Sequence, residues 1–158
     1  MRMENKGFAG DFPLTGVSGT QALGARIAGG LQAGDAVALE GDLGAGKTTL
    51  ARAILQGLGV TEDVPSPTFT LVQQYETPKL AVRHYDFYRI EDPSELNELG
   101  LDEALDDGAV LIEWPERAPD RIPPDALHIK LTITGDHVRN AHVEGPARWS
   151  GVLKEVHV

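Results

Sequence analysis

A chain of 158 residues is long enough for a domain with its own hydrophobic core, at roughly one domain per 100–200 residues. Hydrophobic residues at 41% and charged residues at 24% are ordinary for a globular chain, and the lack of Cys excludes disulfides, thiolate zinc sites and cysteine nucleophiles. Acids outnumber bases 24 to 14, for a formal charge of −10, so the mean field repels nucleic-acid phosphates. No apolar run approaches the roughly 18 residues of a membrane span, and the opening MRMENKGFAGDF has no signal-peptide core. No membrane role is expected, and the expected location is cytoplasmic.

A single domain over 1–158 is expected, of which residues 1–11 read as a loose tail. Ser18 is a candidate N-cap for a helix carrying Leu23, Ile27 and Leu31 at four-residue steps. After Gln32–Asp35, the run Ala36–Glu40 suits a buried strand. Residues 41–46 are glycine-rich. Lys47–Leu58 follows as a helix with Leu50, Ile54, Leu55 and Leu58 on one side and Gly59 just beyond.

Phe69–Tyr75 and Leu80–Phe87 read as strands around a turn at Glu76–Lys79. Ser94 heads a short helix ending at Gly100, and Ala109–Ile112 is an apolar strand closed by Glu113. Beyond a proline-rich loop, Leu127–Thr134 and Val138–Val143 read as a hairpin through Gly135-Asp136. Helical crossovers mixed with hairpins predict an α/β fold with a mixed parallel and antiparallel sheet.

Gly41-Asp42-Leu43-Gly44-Ala45-Gly46-Lys47-Thr48 fits G-x-x-x-x-G-K-[ST] at every fixed position. Average composition produces that match on the order of once in a hundred or more chains of this length. A strand before the loop and a helix after it strengthen the reading, and the fold becomes a P-loop NTPase-like three-layer domain. Such glycines let successive N–H groups converge on phosphate oxygens at the positive end of a helix. Lys47 would bridge the β- and γ-phosphates of ATP, and the Thr48 hydroxyl would ligate Mg²⁺.

The metal also needs an acid at the end of a neighbouring strand. Glu113, closing AVLI, and Asp86, closing LAVRHYD, both qualify, although a strand-end acid can equally be a solvated terminus. No D-x-x-G follows the loop, which argues against a GTPase. His84, His128, His137, His142 and His157 lack helical i,i+4 pairing, so a His-based metal site is not expected.

Four blocks occur in order: GDLGAGKTT at 41–49, SPTFTLV at 66–72, HYDFYR at 84–89 and EWP at 113–115. Together, over about Thr15–Val143, they resemble the TsaE family, small bacterial P-loop ATPases required for threonylcarbamoyladenosine (t6A) synthesis at position 37 of tRNA. The resemblance implies that Gly41, Gly44, Ala45, Gly46, Lys47, Thr48 and Thr49 cradle the ATP phosphates and that Thr48 and Glu113 hold Mg²⁺. It implies that Asp86 is the essential acid, near the attacking water or behind the metal ligands, with Lys47 as its catalytic companion. Ser66, Pro67 and Thr68 become a switch-like loop near the γ-phosphate, where an ordinary proline turn is the alternative.

Glu116 is implied to reach the nucleotide, and Arg139 to contact its adenine side or else to be an isolated surface arginine. Trp114 is either a partner contact or a core aromatic. Arg89 either neutralises transition-state charge or pairs with an acid. The implied activity is Mg²⁺-dependent ATP hydrolysis, stimulated by a TsaB–TsaD heterodimer that holds the tRNA. An acidic chain without a basic run fits that indirect role. A small-molecule P-loop kinase and a non-hydrolysing, ATP-gated interaction module are the alternatives.

Overall fold

The computed structural model describes residues 7–153; the expectations for residues 1–6 and for His157 lie outside them. In chain order the elements are β1 (Phe8–Thr15), α1 (Gly16–Gly30), β2 (Ala36–Gly41), α2 (Lys47–Gly57), β3 (Val72–Glu76) and β4 (Ala81–Asp86). They continue with α3 (Glu95–Glu98), α4 (Leu101–Asp107), β5 (Gly108–Glu113), β6 (Leu127–Gly135), β7 (Val138–Gly145) and α5 (Trp149–Leu153).

The strands form one mixed sheet in the order β1-β7-β6-β2-β5-β4-β3. β2 runs parallel to β5 and β6, and β4 runs parallel to β5. The hairpin partners β3 and β7 are antiparallel to β4 and β6, and β1 is antiparallel to β7. Because β2, β4 and β5 run the same way, the glycine loop, Asp86 and Glu113 all emerge at the C-terminal ends of these strands. That shared end of the sheet makes the site.

Helices cover both faces of the parallel strands, so Ala36–Leu39 of β2 and all of β5 are buried, as apolar runs of this kind require. On one face Leu23 and Ile27 of α1 and Leu50, Ile54 and Leu55 of α2 pack with Val37, Leu39 and Leu111. On the other face, Ala36, Tyr85, Val110 and Ile112 meet Phe87, Leu96 and Leu101. α1 and α2 touch almost backbone to backbone. A Cβ on Gly24 would lie 2.5 Å from the Ala53 Cβ and 2.8 Å from its carbonyl carbon. Tight packing of this kind fixes α2, and hence the loop at its head.

Several local expectations need correction. The loose tail was expected to reach residue 11, but β1 begins at Phe8. Phe8, Phe12 and Leu14 turn inward, and Pro13 is tolerated because β1 is an edge strand. α1 starts at Gly16 with Thr15 before it, so Ser18 lies inside the first turn and caps nothing. Strand pairing begins at Val72 and not at Phe69, whose ring is 80% exposed. Ser94 makes no side-chain cap bond. Gly100, read as a terminator, adopts φ +71° and starts α4 after a single break.

β1 is tied to β7 by more than its ladder. His142 is hydrogen-bonded through Nδ1 to Asp11 at 3.0 Å and through Nε2 to Glu144 at 2.9 Å. Both bonds need both ring protons, so the Glu144 and Asp11 bonds raise the His142 pKa above its ordinary value of 6.5. The Asn140 and His142 bonds lower that of Asp11 below 3.8. A raised histidine stabilises the fold fully below about pH 6.5, and that contribution is lost as pH rises through the folded value. The lowered acid adds stability above about pH 4 and loses it in stronger acid. The parent's thermal midpoint should therefore gain a few degrees at pH 6 relative to pH 8 over His142→Ala; an identical pH dependence of the two would refute the link.

Candidate active site

Residues 41–46 leave β2 and open α2 through positive-φ glycines: Gly41 at +151°, Gly44 at +83° and Gly46 at +107°. A Cβ on Gly44 or Gly46 would meet nothing within 4 Å, so the concave side of the loop is open. One on Gly41 would approach the Leu131 carbonyl to 2.8 Å, so only glycine fits this entry turn. Lys47 curls back under the loop and donates from Nζ to the carbonyls of Gly41 (2.6 Å) and Asp42 (3.1 Å). Its ammonium also lies 4.2 Å from the centre of the Trp114 ring. Burial lowers the Lys47 pKa, while Glu113, Glu116, Asp86 and Asp42 oppose that shift and hold the proton on.

The next residue joins the loop to the sheet. Thr48 Oγ1 lies 2.9 and 3.0 Å from the two carboxylate oxygens of Glu113, to which it donates. Asp86 stands opposite Glu113 in the β4–β5 register. It accepts from Thr68 Oγ1 at 3.1 Å and from the Tyr88 N–H at 2.9 Å. Burial raises the Asp86 pKa and the nearby Glu113 charge adds to this, partly offset by the two hydrogen bonds. Ser66 Oγ and Thr68 Oγ1 are 2.7 Å apart, so the loop before β3 is hydrogen-bonded onto the acid.

Gly44, Gly46, Lys47, Thr48, Thr49, Thr68, Asp86 and Glu113 thus line one open cleft of about 270 Å³, rimmed by Leu43, Ser66 and Trp114. The other expected residues lie on its flanks. Arg139 faces a cavity of about 170 Å³ that shares Gly44, Gly46 and Thr49 with the cleft. There it donates to the loop carbonyls of Ala45 (3.2 Å) and Gly44 (3.4 Å), so it is not isolated. Glu116 is exposed and lines a third cavity of about 520 Å³ with Gly41, Asp42, Ala45 and Trp114. Trp114 is half-buried, packed 4.9 Å from the Tyr88 ring. Arg89 stacks on the exposed Phe69 ring at 4.7 Å.

Three non-glycine residues have positive φ among the described residues, and all adjoin this site. Trp114 (φ 60°) follows Glu113, and His137 (φ 60°) lines the Arg139 cavity. Leu71 (φ 69°) accepts from the Asp86 N–H. Such backbone is costly for a bulky side chain and gathers where function demands it.

The donor chemistry fits a small hard cation. Thr48 and Glu113 offer oxygen atoms only, and no cluster of three His, Cys, Asp or Glu able to hold a metal occurs among the described residues. Mg²⁺ typically uses such a sparse set, keeping water and substrate phosphate as its remaining ligands. His84 was overlooked. It is fully buried and hydrogen-bonded to Glu113 at 2.7 Å. The available signal was strand alternation, which puts His84 on the same face as Asp86 two residues on.

A strand, a glycine loop, a helix and a hydroxyl bonded to the acid of a neighbouring strand define a P-loop α/β protein of nucleotide-binding type. The family model for threonylcarbamoyl adenosine biosynthesis protein TsaE matches residues 14–141, and the chain belongs to the TsaE family. Curated TsaE proteins are similar to it. The Bacillus subtilis relative is 42% identical over 76% of this chain and 75% of its own. That of Rickettsia prowazekii is 43% identical over 69% and 76%, and that of a Nostoc species 40% identical over 78% of each. The crystal structure of Bacillus subtilis YdiB superposes with a TM-score of 0.79 at 30% identity, over 95% of both chains.

Proposed function

We propose that this chain is a Mg²⁺-dependent ATPase that drives t6A synthesis on tRNA through a TsaB–TsaD heterodimer. The observation that carries the reading is the bond between Thr48, which opens the phosphate-binding helix, and Glu113, which closes β5. Lys47 and the N–H groups of 44–49 would hold the phosphates, with Thr48 and Glu113 holding the cation. Bound there, Mg²⁺ would neutralise charge on the β- and γ-oxygens. Asp86, buried and bonded to the Thr68 loop, would orient the attacking water and take up its proton as ADP leaves. Arg139 would stand on the nucleoside side of the cleft, because its cavity adjoins Thr49, and Glu116 would approach from the opposite flank.

The exposed side chains at the cleft mouth favour a partner. Leu43 on the cleft rim is 73% exposed, Phe69 next in sequence to the lining Thr68 is 80% exposed, and the rim residue Trp114 packs against Tyr88. A protein docking there would order the Ser66–Thr68 loop and complete the site. By linkage, a partner that prefers the ATP-loaded form also tightens ATP binding. Pull-down with TsaB–TsaD should therefore succeed with ATP and fail with ADP or without nucleotide. Equal capture in all three states would refute nucleotide-gated docking. Trp114→Ala should weaken capture by about 30-fold, the scale of a buried aromatic hot spot. Nucleotide affinity should change by no more than about fivefold, the scale of one cation–π contact.

A further inference from the structure

We infer that His84 is a positioning residue for the Glu113 carboxylate, and through it for the divalent cation of the proposed reaction, on which reading the inference rests. His84 is wholly buried, with Nε2 2.7 Å from Glu113 Oε2. Its other ring nitrogen, Nδ1, is buried and has no hydrogen-bond partner among the described residues. An ionised carboxylate only accepts, so Nε2 carries the proton and donates it. Thr48 contacts both oxygens of Glu113 almost equally and so does not distinguish them. His84 does: its contact is with Oε2 alone, so it fixes the rotation of the carboxylate that Thr48 leaves undetermined.

Packing alone does not account for this imidazole. His84 is paired with Leu111 of β5 on one side and Gln73 of β3 on the other, and an apolar side chain would fill such a place without stranding a polar atom. The stranded Nδ1 is tolerated because Nε2 is the working end. Strand geometry makes the contact available: His84 and Asp86 share a face of β4, and Asp86 is in register with Glu113. His84 therefore reaches Glu113 diagonally across the ladder. Hydrogen bonds of this kind to a metal-binding carboxylate typically matter 10–100-fold in metal affinity.

The asymmetry between the ring nitrogens sets the test. The amide nitrogen of Gln can reach where Nε2 stands, while that of Asn stops near Nδ1. Binding of a fluorescent ATP analogue to the full chain would be titrated with Mg²⁺ and compared with binding in excess EDTA. His84→Gln should keep the parent's half-saturating Mg²⁺ within about threefold. His84→Asn should raise it about 10–100-fold with affinity in EDTA unchanged. In a Glu113→Gln background, His84→Asn should add nothing further. Should the Asn protein fail to fold, His84→Leu carries the same expectation. Failure of both to fold would make His84 structural and overturn the inference. So would equal Mg²⁺ dependence in all variants, or a Gln protein as impaired as the Asn one. A parent that binds the analogue without any Mg²⁺ dependence would defeat the ATPase reading and this inference with it.

Discussion

Lys47→Ala is expected to cut ATP turnover by about 10²–10³-fold, the usual loss when one preorganised donor to a charged transition state is removed. Lys47 is the cation already held against the loop, by the Gly41 and Asp42 carbonyls and the Trp114 ring. Its ammonium is thereby kept at the loop, where it would share or exchange those carbonyl bonds for phosphate oxygens. The fold should survive, since α2 is anchored by Leu50, Ile54 and Leu55 and not by this side chain. Phosphate release and equilibrium ATP binding, with circular dichroism as a check on folding, measure the effect. Unchanged binding and turnover in a folded Lys47→Ala protein would refute the nucleotide site.

The two acids should fail differently. Glu113→Gln keeps an acceptor for Thr48 but removes the charge that a divalent cation needs, so Mg²⁺-dependent ATP binding and turnover should both fall. Asp86 touches Thr68 and the Tyr88 N–H and makes no bond to Thr48, so Asp86→Asn should bind ATP nearly as the parent does. Its turnover should drop about 10²–10⁴-fold, the range for lost general acid–base catalysis. Binding isotherms beside single-turnover hydrolysis separate the two. The opposite pattern would exchange the roles of Glu113 and Asp86.

The parts of the fold legible in the sequence are those with long apolar periodicity. α1, β2, α2, β5 and the β6–β7 hairpin were placed to within a few residues because burial dictates their pattern. β1 was hidden because Gly10 and Pro13 interrupt its alternation, and only its antiparallel pairing with β7 makes it a strand. Phe69 carries strong β-propensity, yet it lies in a loop pinned by the Thr68–Asp86 bond. α4 was lost because Gly100 ends α3 and begins α4 at the same time.

The candidate site was legible wherever a motif fixes spacing, as in the glycine loop, Lys47 and Thr48. The strand-end acids were identifiable as a pair, but only the three-dimensional register shows that Glu113 meets Thr48 and Asp86 meets Thr68. Single side chains with no local pattern were beyond reach. The bond from Arg139 to Ala45 spans 94 residues, and the contact of His84 with Glu113 spans 29. Arg89 illustrates the same limit, for among the described residues its neighbour is the Phe69 ring and not an acid.

The central claim is partner-coupled hydrolysis of ATP at the Thr48–Glu113–Asp86 site. Phosphate release from ATP and Mg²⁺, measured with and without purified TsaB–TsaD heterodimer, tests it most directly. Weak release by the chain alone and clear stimulation by the heterodimer, lost in Asp86→Asn, is the predicted result. Release that depends on a small hydroxyl substrate, release indifferent to the heterodimer, or none in its presence would contradict it.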